Sequence, residues 1–348
     1  MIIFVIMKIV IAPDSYKECL SSPRVAEAMA AGVRSVFPDA EIVTIPLSDG
    51  GEGMLDVLLA ALGAEERTAR VSDPLGRPVT ARWGRLGDLA VVETAQAAGL
   101  TLLAPSERNP LKTSTYGVGE LLLEVSRLGC RHILAGLGGS ATCDGGAGML
   151  EVPGLSEALE GCVIELLCDV DAPFVGPCGA ARIFAPQKGA SPEEVELLEA
   201  RMMRMAEYLR QRTGTDVSDL PGAGAAGGLG GALTACFGAR TVSGIDRLLD
   251  LSGFDDALSG ADLVITGEGR SDRQTLQGKV PLGVLRRAGT IPVALLSGRI
   301  DDCDALSAAG FRVLLEASPR DLPLSVLLRP SVAAENIATS TVQLLSQI

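Results

Sequence analysis

Residues 8–45, KIVIAPDSYKECLSSPRVAEAMAAGVRSVFPDAEIVTI, read as a strand, a helix and a second strand. Lys8 to Ala12 and Glu41 to Ile45 are short β-branched runs, apolar enough for burial on both faces. Between them Ser22-Pro23 places a cap before a proline at the first helical position, and Val25, Met29, Val33 and Val36 follow at helical spacing. The same kind of run returns at Asp262 to Thr266 and Ile291 to Leu296. Such strands, separated by helices, form βαβ units and a largely parallel sheet, whose ligands bind beyond the carboxyl ends of the strands. Attention therefore falls on the loops Pro13 to Ser22, Pro46 to Gly53, Gly267 to Lys279 and Ser297 to Ile300.

At 348 residues and 47% hydrophobic, the chain is long enough for two cores. From about residue 71 to 240 the segments become shorter, more mixed and richer in Gly, Ala and Pro. The pattern predicts two α/β domains with the active site in the cleft between them: residues 1–70 plus 241–348 as a discontinuous parallel-sheet domain, and 71–240 as an inserted mixed α/β domain. Arg131 to Leu137 resembles a strand of the first domain, which leaves 112–150 without a fixed place. Ser191-Pro192-Glu193-Glu194 is a capping box. Val195, Leu198, Met202, Met205 and Leu209 recur behind it as far as Gly214, which predicts a helix with a Met-rich core stripe.

A net charge of -13 and a pI near 4.7 argue against nucleic acid or an anionic membrane as partner. With 3% aromatic residues and the single Trp83, base-stacking platforms are not expected either. An anionic substrate must be held by local cations. The eight cysteines form no C-x-x-C pair and His132 is the sole histidine, which disfavours zinc. Scattered thiols in a chain of this size point to the cytoplasm. Met1 to Met7 lacks a basic region and a cleavage site, and Lys8 ends it, so no leader or span is expected and Met7 is an alternative start.

Asp-Gly-Gly-x-Gly occurs twice, as Asp49-Gly50-Gly51-Glu52-Gly53 and Asp144-Gly145-Gly146-Ala147-Gly148. Adjacent glycines let bare N–H groups approach an anion at a helix start. A carboxylate in the same turn repels phosphate unless a cation lies between them, so the pattern suggests a metal-phosphate site, although helix capping alone explains one such Asp. Asp14, Asp169, Asp171, Glu268 and Asp272 also lie beside Gly, Pro or small residues at expected strand ends. Five of the 30 basic residues are lysines, and three of these, Lys17, Lys188 and Lys279, sit in turns, where a compact ammonium suits a moving phosphoryl group. Solvent alone explains a lysine in a loop equally simply.

Gly222, Gly224 and Gly227 match G-x-G-x-x-G, but Thr215 to Leu220 ahead of them is polar and gives no strand, so the match lacks the context of a dinucleotide site. There is no Walker-type phosphate loop. Ser140 is not in G-x-S-x-G and His132 reads as a strand residue, so a Ser-His hydrolase gains little support; Ser140 and Thr142 read as hydroxyl donors to phosphate or metal.

Taken together, Val10 to Lys17, Pro46 to Gly53, Gly138 to Gly148, Cys168-Asp169-Val170-Asp171, Pro186-Gln187-Lys188-Gly189, Gly222 to Gly228 and Ile265 to Arg270 resemble the bacterial glycerate kinases of type 1 in order and spacing. The resemblance implies ATP-dependent phosphorylation of D-glycerate, commonly at the 2-hydroxyl to give 2-phosphoglycerate, with Mg2+ as the metal. It also implies a discontinuous flavodoxin-like domain and an inserted one. Departures are Glu18-Cys19 for Gly-Ser, Cys143 for Asn, Ser271 for an aliphatic residue, and a short stretch from Leu150 to Cys168, where a family helix or hairpin is expected to be missing.

On this basis Asp49, Asp144 and Glu268 are expected at the metal. Lys17, Lys188, Gly138, Gly139, Ser140, Thr142, Gly145, Gly224 and Gly227 are expected at phosphate or nucleotide. Lys279, Arg273, Arg299 and Asp14 are expected at glycerate, with Asp272 or Asp169 as general base. Glycerate is the expected partner, and a homodimer is left open. Three other readings also remain open: attack by the 3-hydroxyl, a dinucleotide-dependent oxidoreductase, and a non-catalytic protein that closes on a small acid.

Overall fold

Strand β1 (Lys8–Ile11) pairs in parallel with β2 (Glu41–Thr44) across the helix Ser22–Val36, the βαβ unit expected of residues 8–45. The computed structural model describes residues 6–16, 19–48 and 53–348, so Lys17, Asp49 and the glycines of the first acidic turn up to Glu52 lie outside the described residues. The chain folds as two compact units, Met1–Asp49 with Ile245–Ile348, and Gly50–Gly244.

In the second unit, β3 (Glu65–Ser72), β4 (Pro78–Leu86), β5 (Leu89–Glu93), β6 (His132–Gly136), β7 (Val163–Leu167) and β8 (Arg240–Val242) form a six-stranded sheet in that spatial order. The β3, β4 and β5 pairings are antiparallel, and those from β5 to β8 are parallel. Trp83, Leu121, Leu122, Ile133, Leu166 and Phe174 fill its core. The helix Pro192–Thr213 starts at the Ser191 capping box, buries Val195, Leu198, Met202 and Leu209, and stops at Gly214 with φ of 79°. Arg131 to Leu137 thus supplies β6 of this sheet, not a strand of the first unit, because His132 to Gly136 pairs with β5 and β7 on either side.

The first unit resumes with β9 (Leu263–Thr266), β10 (Arg270–Ser271), β11 (Val293–Ser297), β12 (Arg299–Ile300) and β13 (Val313–Glu316). Its main sheet has the order β13-β11-β9-β1-β2 with every pairing parallel. Counted within the unit this is 2-1-3-4-5, the flavodoxin-like order, whose switch point lies between β1 and β9. Ile9, Ile11, Leu263, Ile265, Ala294 and Leu296 pack under Val25, Met29, Ile337 and Leu344 from the helices Ser22–Val36 and Pro330–Leu345. Beyond the main sheet, β10 and β12 pair in parallel, with Arg270 opposite Arg299.

Ser22 does not cap its helix. The N-cap is Ser21, and the Ser22 hydroxyl donates to the Pro13 carbonyl (2.7 Å) and accepts from Leu47 N–H (2.9 Å), tying the loops after β1 and β2 together. Leu47 N–H also donates to the Pro13 carbonyl (2.9 Å), so the Ser22 hydroxyl reinforces a direct link between the two loops. Among the described residues no helix is long and apolar enough to cross a membrane.

Candidate active site

In the second unit the loop after β6 carries Gly138 to Gly148 and meets Lys188 at the end of the short 3-10 turn Pro186–Lys188. Lys188 is 3% exposed, and its Nζ donates to Ser140 Oγ (2.7 Å) and the Thr142 carbonyl (2.8 Å). Among the described residues no carboxylate lies within ion-pair distance of it, and burial pulls its pKa from the ordinary 10.5 down to about 8. Thr142 Oγ1 beside it is buried without a partner among the described residues. An ammonium with one N–H unspent and an orphaned hydroxyl is a donor set that fits an anion.

Asp144 is spent largely on the loop itself. Its Oδ2 accepts from Thr115 N–H (2.8 Å), Thr115 Oγ1 (2.9 Å) and Gly148 N–H (3.1 Å), and its Oδ1 from Gly146 N–H (3.1 Å). Oδ2 is therefore filled, whereas Oδ1 keeps room for a cation or for a water bound to one. Asp144 also lines an opening of about 380 Å³ with Thr113, Arg201, Arg204 and Tyr208, the last three from the 192–213 helix, whose motif-free outer face gives no sign in the sequence that it meets this loop.

Gly224 and Gly227 serve close packing. A Cβ on Gly227 would overlap the Thr142 carbonyl, one on Gly224 the Pro173 carbonyl, and Gly145 N–H donates to the Gly227 carbonyl (3.0 Å). No strand precedes Gly222, so the dinucleotide fingerprint has no structural counterpart. His132 stands on β6 with Glu165 (3.5 Å) and Ser140 pairs with Lys188, so no Ser-His couple forms. Asp169 Oδ1 accepts from Gly244 N–H (3.1 Å).

The first unit has a pocket of about 940 Å³ at its switch point, lined by Asp14, Tyr16, Glu268, Arg270, Lys279, Arg299 and Arg320 among others. Asp14 is 4% exposed and Glu268 5%. Glu268 Oε1 accepts from Ser271 Oγ (3.0 Å) and Thr275 Oγ1 (2.6 Å), and its Oε2 faces Lys279 Nζ (3.3 Å). Burial raises the Glu268 pKa, opposed by Thr275, Lys279 and Ser271. An ammonium thus already stands where a metal ligand would need its cation, so Glu268 does not fit a magnesium site. Ser271, one of the departures from the family pattern, spends its hydroxyl on Glu268 and on Ser297 Oγ (2.7 Å).

Of the other expected residues, Arg299 reaches Glu316 (3.6 Å) and Asp301 (3.8 Å) at the pocket. Arg273 is 78% exposed, pairs with Asp302 (3.6 Å) and does not line the pocket. Asp272 accepts from Gln274 N–H (2.8 Å) and caps the turn Arg273–Gln277. Arg320 and Asn336 were not legible, because they reach the pocket from segments far along the chain that carry no motif. Asn336 Nδ2 is buried without a partner among the described residues.

A parallel-sheet unit with a cation-lined pocket at its switch point, in a chain that also carries a buried lysine against a glycine loop, is suited to anionic ligands, and the relatives below make it an enzyme of the kinase class. A profile described as the glycerate kinase family matches residues 9–156 and 150–348, and the chain belongs to that family. Glycerate 2-kinase of Escherichia coli K12 is 43% identical over 328 residues, 85% of this chain and 86% of that protein. Glycerate kinase of Bacillus subtilis 168 is 40% identical over 351 residues, 91% and 92% of the two chains. A crystal structure of the provisionally named glycerate kinase 2 of Salmonella typhimurium LT2 superposes with a TM-score of 0.84 at 39% identity, covering 98% of each chain. The two matched profile segments overlap at 150–156, in the short stretch before β7.

Proposed function

We propose that this chain transfers the terminal phosphoryl group of ATP to the 2-hydroxyl of D-glycerate, giving ADP and 2-phosphoglycerate. The observation that carries the reading is the buried Lys188 ammonium, which has a hydroxyl and a carbonyl for partners and no carboxylate. Its charge is left for an anionic ligand to neutralise, and phosphate oxygens do so. Ser140, Thr142 and the N–H groups of Gly138 and Gly139 complete that donor set, with Lys17 as a second cation, while Gly145, whose N–H is taken by the Gly227 carbonyl, shapes the loop. Gly224 and Gly227 hold the loop in shape.

Asp144, through Oδ1 or a bound water, and Asp49 would hold Mg2+, which neutralises charge on the phosphates when bound. Lys279 and Arg299 hold the glycerate carboxylate by charge-assisted hydrogen bonds, and Asp14 orients a hydroxyl. Asp272, which belongs to the unit with the acid pocket, is the first candidate to accept the hydroxyl proton, and Asp169 the second. The 2-hydroxyl is supported by the name of the Escherichia coli relative, glycerate 2-kinase.

A coupled assay of ADP release with D-glycerate, L-glycerate and no acceptor tests the reading. Release dependent on D-glycerate is expected. Binding of D-glycerate without ADP release would leave only a binding protein, and phosphorus NMR of the product would expose attack by the 3-hydroxyl.

A further inference from the structure

We infer that Glu268 is a positioning residue, whose buried carboxylate, fixed by Ser271 and Thr275, holds the Lys279 ammonium against the acid pocket. This rests on the reading of Lys279 as a glycerate-binding cation.

Three observations carry it. The first is proton direction. Thr275 Oγ1 accepts from Asp272 N–H (3.0 Å), so its own proton goes to Glu268 Oε1 at 2.6 Å. Ser271 likewise gives its single proton to Oε1, which obliges the Ser297 hydroxyl, 2.7 Å away, to donate to Ser271. The Thr275 and Ser271 hydroxyls therefore both point at Glu268, with Ser297 donating to Ser271 behind them, the arrangement that suits an ionised carboxylate and through it an ammonium.

The second is the place of Lys279. It is the N-cap of the helix Val280–Ala288, and no side chain caps that helix. A cation at the positive end of a helix is disfavoured, so Lys279 needs a fixed anion to keep it there, and Glu268 Oε2 at 3.3 Å is that anion. Gly278, with φ of 112°, makes the turn that brings the lysine round.

The third is burial. Both residues line the pocket, but the Glu268 side chain is 7% exposed and that of Lys279 31%, so the carboxylate is the more fixed partner and the ammonium the more accessible one. Glu268 thereby acts on substrate through Lys279.

The test is the Michaelis constants of purified Glu268→Gln, Ser271→Ala, Lys279→Met and the double variant Glu268→Gln/Lys279→Met. Lys279→Met is expected to raise the KM for D-glycerate about tenfold, the loss of one charge-assisted contact, with the KM for ATP unchanged. Glu268→Gln should raise the same constant about fivefold and leave half-saturating Mg2+ unchanged. The double variant should be no worse than Lys279→Met alone, since the two act as a unit. Ser271→Ala, a milder change expected to fold, should show a smaller rise of the same kind, and Glu268→Asp should recover part of the loss.

An unchanged glycerate KM in Lys279→Met would sink the reading of Lys279 and the inference with it. A raised KM in Lys279→Met beside unchanged values in Glu268→Gln and Ser271→Ala would overturn the inference alone. So would multiplying effects in the double variant, or a raised Mg2+ requirement in Glu268→Gln.

Discussion

Lys188 and Lys279 are the same residue in opposite situations. Lys188 is 3% exposed, held by a hydroxyl and a carbonyl; Lys279 is partly open and held by a buried carboxylate. The first has no carboxylate within ion-pair distance among the described residues, so desolvation, only partly offset by the more distant Asp144, pulls its pKa down, and a ligand anion is what completes it. The second is half-neutralised before any ligand arrives, which suits a modest grip on a small acid. The contrast separates a group whose strongest interaction is with developing charge from one that mainly sets affinity.

The largest effect that could break this contrast is kinetic. Lys188→Met should lower kcat by about 10²–10³ in the ADP-release assay, the scale for losing a preorganised donor at developing charge. A variant that raised only the glycerate KM would make the two lysines equivalent.

The next effect is on stability. For Lys188 in the unliganded protein the shift from 10.5 to about 8 penalises the charged form by about 3 kcal/mol. Because its folded pKa is depressed, the cost is complete below about pH 8 and is relieved as pH rises toward 10.5, where the unfolded chain binds more protons than the folded one. The excess melting temperature of Lys188→Met over wild type should therefore shrink between those pH values. A constant difference would mean that the lysine is solvated.

Asp144→Ala comes third, with a loss of about 2 kcal/mol in denaturant unfolding, because four loop donors lose their acceptor. An unchanged midpoint would show that those donors find other partners. The smallest is Ser140→Ala, which removes one of two Lys188 contacts and should cost about fivefold in kcat, roughly 1 kcal/mol. No change in kcat would show that the carbonyl of Thr142 suffices to hold the lysine.

The centre of the first unit's parallel sheet could be read directly, since β1, β9 and β11 are apolar runs buried almost throughout, whereas the edge strand β2 is half open, with Glu41 and Thr44 exposed, and the opposite edge strand β13 gave no reading. The long helix after Ser191 was equally plain from its capping box. The β3–β4 hairpin left no such trace, because Glu65, Glu66, Arg67, Thr68 and Arg70 are exposed on it and carry charges or hydroxyls instead of an apolar alternation. Turn lysines drew attention to Lys188 and Lys279, but not to their difference, which depends on whether a carboxylate from another turn arrives beside them. Asp144 shows the same limit: an acidic glycine turn looks alike whether its oxygens face a metal or its own amides.

The small β10–β12 ladder has one further consequence. Arg270 and Arg299 stand opposite each other on it, each a short link past the end of a fully buried strand, β9 or β11. A small acid that bridges these arginines would act as a cross-brace between two neighbouring rods of the sheet. Amide hydrogen exchange along Leu263 to Thr266 and Val293 to Ser297 should then slow when glycerate binds, so the deepest part of the fold would register what happens at its rim.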